Sequence, residues 1–133
     1  MSKVFVDTSG LLPLLDRSDP EHEEMVEALS GLAEQRAGLV TSNYVFVETA
    51  ALVRNRLGVE RLRALGDVIE RSFELIWVDE GLHRMAWELV RREGRKGPSL
   101  VDWVSFLAMR DRGLDTALAL DRHFRDQGFA TIP

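Results

Sequence analysis

Five short runs rich in β-branched and aromatic residues punctuate the chain: Val4–Val6, Gly38–Thr41, Phe73–Val78, Thr116–Leu120 and Ala130–Ile132. Segments with helical periodicity fill every gap between them. Strands separated by helices cannot form tight hairpins. They pair in parallel through crossovers, and the helices then cover the sheet. This alternation predicts an α/β fold with a short parallel β-sheet flanked by helices. The start and stop signals agree with it. Asp19-Pro20-Glu21 reads as the opening of a helix that reaches about Gln35. Ser42 or Asn43 caps the next, which ends near Leu57-Gly58, and another spans Val59 to Ser72, with Gly66 as a possible bend. Asp79 caps a helix that stops at the glycine-rich Glu93–Gly97, Pro98-Ser99 opens the following one, and a short last helix begins near Arg122. With 133 residues and no repeat or linker, one domain over residues 1–133 is expected.

Composition narrows the setting. The chain is 45% hydrophobic, carries a net charge of −5 and contains no cysteine. A disulfide framework and thiolate metal ligands are therefore excluded, and a reducing, cytoplasmic location is expected. No charged stretch followed by a long apolar run opens the chain, so no signal peptide is expected, and no apolar segment approaches a membrane span. The acidic balance argues against a generic nucleic-acid coat. It leaves room for a nucleic-acid enzyme whose carboxylates are offset by cations.

Four carboxylates stand where acids are costly. Asp7 follows Val4-Phe5-Val6, and Asp121 follows Ala117-Leu118-Ala119-Leu120. Both fall at the carboxyl ends of strands, beyond which open parallel sheets bind their ligands. Each is also a suitable N-cap for the helix that follows. Asp102 is the only charged residue between Leu100 and Met109, in a helix apolar nearly all round. A capping box with Ser99 would satisfy one of its oxygens. Glu48 has Tyr44, Val45, Ala51 and Leu52 as helical neighbours, which predicts a core-facing carboxylate; an edge position reaching water is the alternative. Four converging acids would repel one another unless a hard cation sat among them, and carboxylate and water ligands suit Mg²⁺ or Mn²⁺. His22, His83 and His123 lack paired ligand spacing and read as surface or supporting residues. The densest basic cluster is Arg91, Arg92, Arg95 and Lys96, just before the Asp102 helix. It is either a phosphate-docking site or a solvated helix end. Arg54 and Arg56 form a weaker second cluster.

Four segments, "FVDTSGLL", "TSNYVFVET", "SLVDWVSFLAM" and "LALDRHF", come in an order and spacing that resembles the PIN domain, and within it the VapC-like ribonuclease toxins of toxin–antitoxin pairs. The resemblance covers essentially the whole chain. It implies a PIN-like three-layer sandwich and a Mg²⁺- or Mn²⁺-dependent endoribonuclease that uses Asp7, Glu48, Asp102 and Asp121 as its catalytic, metal-holding acids. Asp7 and Asp102 are expected as direct ligands, with Glu48 and Asp121 acting through water, on a second ion or on the nucleophile. Ser9 matches a supporting polar position. Ala119 departs from the pattern, where a Thr or Ser is common, and this puts the hold on Asp121 in question. The resemblance further implies an RNA substrate cleaved to a 3′-hydroxyl and a 5′-phosphate, a cognate antitoxin and a homodimer. The surplus of leucines at Leu11, Leu12, Leu14, Leu15, Leu29 and Leu32 marks either an antitoxin groove or plain core. A PIN nuclease for RNA maturation or DNA, and a non-catalytic binding module, are the competing readings. A haloacid-dehalogenase-like phosphatase is excluded because Ser9 stands where its second acid is needed.

Overall fold

The computed structural model describes residues 2–133. In chain order the elements are β1 (Lys3–Val6), α1 (Thr8–Leu15), α2 (His22–Glu34), β2 (Gly38–Ser42), α3 (Asn43–Leu57), α4 (Val59–Ser72), β3 (Phe73–Ile76), α5 (Glu80–Glu93), α6 (Leu100–Arg112), β4 (Thr116–Leu118), α7 (His123–Asp126) and β5 (Ala130–Ile132). The strands form one sheet in the order β3-β2-β1-β4-β5, and every pairing is parallel. The α/β architecture expected from the alternation is the one observed.

That strand order decides where ligands can bind. From β1 the chain winds outward to β2 and β3, then returns to the other side of β1 for β4 and β5. The reversal lies between β1 and β4, and in open parallel sheets the crevice forms at the carboxyl ends of such a pair. β1 is enclosed beyond its exposed first residue, Lys3: Val4, Phe5 and Val6 join Val40, Val104, Phe106, Ala117 and Leu118 in the core. Their burial on both faces follows from helical crossovers covering the sheet.

Close approach at this junction depends on one glycine. A Cβ at Gly10 would lie 2.5 Å from the Leu118 carbonyl oxygen. Its absence lets the first turn of α1 press against the end of β4. The Asp7 N–H then donates to that same Leu118 carbonyl at 3.1 Å.

Several boundaries differ from the sequence expectation for local reasons. β3 stops at Ile76, two residues early, because the Val78 N–H donates to the Asn43 side chain instead of continuing a ladder. β4 stops at Leu118 because the Leu120 N–H is taken by Ser9 Oγ. α2 starts at His22 rather than at Pro20: Asp19 accepts the Glu21 N–H at 2.8 Å and spends the preceding residues on a turn. α4 runs unbroken through Gly66. α6 is the buried helix expected, with Trp103, Val104, Ser105, Phe106, Ala108 and Met109 buried and Gly113 closing it in the left-handed conformation.

Candidate active site

The site is assembled from chain ends. β1 runs into Asp7, whose side chain is only 4% exposed and caps α1 by accepting the Ser9 N–H. The cap role and the site role therefore coincide. Ser9 Oγ also donates to Asp7 Oδ2 at 2.7 Å. The same hydroxyl oxygen accepts the N–H groups of Leu120 at 2.9 Å and Asp121 at 3.3 Å. One serine thus fastens the end of β1 to the end of β4. Ala119 supplies no hydroxyl here, and the backbone of the Asp121 turn is held by Ser9 instead. Asp121 in turn accepts the His123 N–H at 2.9 Å, fixing its own carboxylate at the start of α7.

Asp102 enters from α6. Ser99 and Asp102 form the reciprocal capping box, with Ser99 N–H donating to Asp102 Oδ2 at 3.0 Å and Asp102 N–H to Ser99 Oγ at 3.1 Å. The box satisfies the helix end and fixes the carboxylate at the start of a helix that carries no other charge before Arg110. Phe124 of α7 packs edge-on against Phe106 of α6, with ring centroids 4.9 Å apart. That contact brings the α7 start against the α6 start. One ligand atom each from Asp102, Asp121 and His123 then lies within 4.8 Å of the others.

Electrostatics agree with a crowded acid site. Burial pushes the Asp7 carboxyl up to about 6; its bonds from Ser9 oppose the rise, and the negative charges of Asp102 and Glu48 add to it. Burial also raises Asp102; hydrogen bonds from Ser99 and the nearby His123 work against this, and Asp121 adds to it. A divalent cation removes the repulsion among such carboxylates, so this donor set fits a hard or borderline cation.

Glu48 sits differently from the expectation. The buried line of α3 is Val45, Thr49 and Val53, while Ala51 is exposed. Glu48 is one position, about 100° of helix rotation, away from that line. It is half-buried and lines a cleft with Asn43, Tyr44, Val47 and Val101 rather than facing the core. Its charge reaches Asp7, and both Glu48 and Asp7 lie outside the close group formed by Asp102, Asp121 and His123. The neighbouring Thr49 closes a buried hydroxyl pair with Thr8 at 2.9 Å, which locks α3 to α1.

The basic cluster divides in two. Arg91 and Arg92 end α5 and both reach back to Glu88, at 2.9 Å and 3.5 Å. Arg95 and Lys96 occupy the turn before Ser99 and form no ion pair among the described residues. Arg54 and Arg56 lie exposed in the last turn of α3. Of the histidines, His22 Nδ1 bonds the Pro13 carbonyl oxygen at 2.7 Å and His83 bonds the Tyr44 hydroxyl. His123 is the site residue that sequence reasoning missed. Its one signal was its place two residues after Asp121, in the reach of an Asx turn.

Among the described residues no helix is long and apolar enough to cross a membrane. Across known proteins, the chain is 31% identical over 97% of its length to the 23S rRNA-specific endonuclease VapC20 of Mycobacterium tuberculosis, of which it covers 97%. It is 28% identical to ribonuclease VapC26 of the same organism, over 91% of this chain and 89% of that one. The crystal structure of VapC20 superposes with a TM-score of 0.83 at 29% identity, covering 96% of this chain and 97% of the other. VapBC2 from Rickettsia felis, at 12% identity, shares the fold with a TM-score of 0.69 over 96% of both chains. The PIN domain profile matches residues 4–130, from the strand that delivers Asp7 to the strand that follows Asp121. The acids, the strand order and these matches converge: the chain belongs to the PIN domain family.

Proposed function

We propose that this protein is a Mg²⁺- or Mn²⁺-dependent endoribonuclease, the toxin of a toxin–antitoxin pair, acting in the cytoplasm as one PIN unit over residues 1–133. The observation that carries this reading is the group of Asp102, Asp121 and His123, with the buried Asp7 in reach of the Asp102 charge, at the β1/β4 reversal in a chain homologous to VapC ribonucleases. Asp7, Asp102 and Asp121 would hold the cation, with Glu48 at the cleft margin orienting the attacking water. Bound there, a divalent ion lowers the pKa of water and polarises a phosphate oxygen. Ser9 keeps Asp7 and Asp121 at a fixed separation, and the Ser99 box does the same for Asp102. Arg95 and Lys96, free of ion pairs among the described residues and on the turn leading into Ser99, are the strongest phosphate-docking candidates. Arg91 and Arg92 join them only by giving up Glu88.

The partner reading rests on a second region. An apolar cavity of about 560 Å³ is lined by Leu14, Leu15, Val26, Leu29, Val68 and Phe73, with Leu11 at its buried floor. Leu32 is core, and Leu12 packs against the core outside this groove. An amphipathic antitoxin segment would lay its apolar side chains here. Exposed Val47, Trp77, Met85 and Trp87 offer apolar surface that a second copy would cover in a homodimer.

The direct test is RNA cleavage by purified protein, with chelator and then with Mg²⁺ or Mn²⁺ restored. Cleavage should vanish and return. Full activity in chelator would refute the mechanism.

A further inference from the structure

We infer that His123 is a nitrogen ligand of the metal and sets its preference for Mn²⁺ over Mg²⁺. The inference rests on the metal-dependent reading above and adds to it a donor of a different chemical kind. His123 Nδ1 is inaccessible to solvent and makes no hydrogen bond among the described residues, although it stands 3.1 Å from Asp121 Oδ1 and 3.7 Å from Asp102 Oδ2. A buried ring nitrogen left without a hydrogen bond beside two carboxylates is an unmet demand.

The separations fit a shared ion. In an octahedron with bonds of about 2.1 Å, adjacent donors stand about 3.0 Å apart and opposite ones about 4.2 Å. The Nδ1–Asp121 distance matches an adjacent pair, and the Nδ1–Asp102 distance falls between the two limits. The backbone that carries the ring is fixed. The His123 N–H is bound to Asp121, and the next residue, Phe124, is fully buried against Phe106. The Asp121 oxygen that accepts this N–H is the one nearest Nδ1, so a single Asx turn presents an oxygen and a nitrogen side by side.

Such a mixed set discriminates between ions. Mg²⁺ favours oxygen ligands and dehydrates reluctantly, whereas imidazole suits first-row transition ions. The other two histidines are engaged elsewhere, with Pro13 and Tyr44, so a histidine nitrogen on the metal has one source.

The experiment uses the full chain loaded with Mn²⁺ alone. Electron spin-echo modulation should show a directly bound nitrogen, and its frequencies should change when histidine is labelled with ¹⁵N. Calorimetry should show His123→Gln weakening Mn²⁺ binding about ten- to a hundredfold and Mg²⁺ by less than about threefold. The spin-echo measurement needs no variant, so it stands even if His123→Gln misfolds. Mn²⁺ binding without histidine coupling overturns the role of His123 and leaves the metal reading intact. Equal losses for both ions in a folded His123→Gln likewise overturn the preference. Absence of Mn²⁺ binding in the wild type overturns both.

Discussion

Asp7→Asn should make the metal-free protein more stable while removing its activity. At neutral pH the wild type buries a carboxylate among other carboxylates, and folding must work against that burial. The carboxyl rises from 3.8 to about 6 in the folded chain. Each pH unit of that rise is worth about 1.4 kcal/mol, so the charge costs the fold about 3 kcal/mol once fully ionised. The residue is nearly inaccessible, so solvent screening offers little discount. Between about pH 4 and 6 the folded chain holds a proton that the unfolded chain has released. Stability of the wild type should therefore fall as pH rises through this window. Asp102 is raised by burial as well and contributes with the same sign. An asparagine keeps an oxygen to accept the Ser9 N–H and hydroxyl but carries no charge. Urea unfolding in chelator, at pH 4 and pH 7.5, measures both proteins. The variant should exceed the wild type by up to about 3 kcal/mol at pH 7.5, with the gap closing toward pH 4. A variant no more stable than the wild type at pH 7.5, or a gap unchanged across the range, would refute the reasoning. Adding Mn²⁺ should then stabilise the wild type and have much less effect on the variant.

Further outcomes follow from the same geometry. Asp102→Asn should lower RNA cleavage by at least about a hundredfold with the fold intact, since it deletes a charged ligand; Asp121→Asn should cost less, and single-turnover rates on one RNA substrate compare them. Neutralising Arg95 and Lys96 together should weaken RNA binding and flatten its salt dependence by about two phosphate contacts' worth, measured by titration at several ionic strengths; an unchanged slope returns them to plain solvated residues. Leu15 and Leu29 line the apolar groove without belonging to its buried floor, so their exchange for Ser should reduce antitoxin affinity while RNA cleavage persists, read by calorimetry on the purified pair.

The parts of this fold that depend on local order were readable in the residues. Alternating apolar runs and capped helices required a parallel sheet, and Asp7 and Asp121 had to stand at strand ends because the apolar runs stop there. Asp102 was conspicuous because nothing else near it is charged. What escaped was everything set by contacts between distant segments. His123 matters because Phe124 docks α7 on Phe106, and no periodicity announces that contact. Glu48 missed its expected face by one residue, since α3 chose Val45, Thr49 and Val53 as its inner line once Thr49 met Thr8. The division of the leucines into core and groove depended in the same way on where α2 and α4 lie. The pairing of Arg91 and Arg92 with Glu88, by contrast, was available in the sequence at helical spacing.

The serine bridge between the first and fourth strands also has a consequence in time. Ser9 and Leu120 are 111 residues apart, and β1 cannot gain its β4 neighbour until the chain between them has been made. Asp7 is therefore made well before Asp121, with most of the domain between them. During synthesis β1 and β2 pair early, but one wall of the crevice is still missing. A nuclease whose site needs both segments stays inert while the residues between them are being made. It becomes able to cut RNA only after β4 and the turn that carries Asp121 have been added.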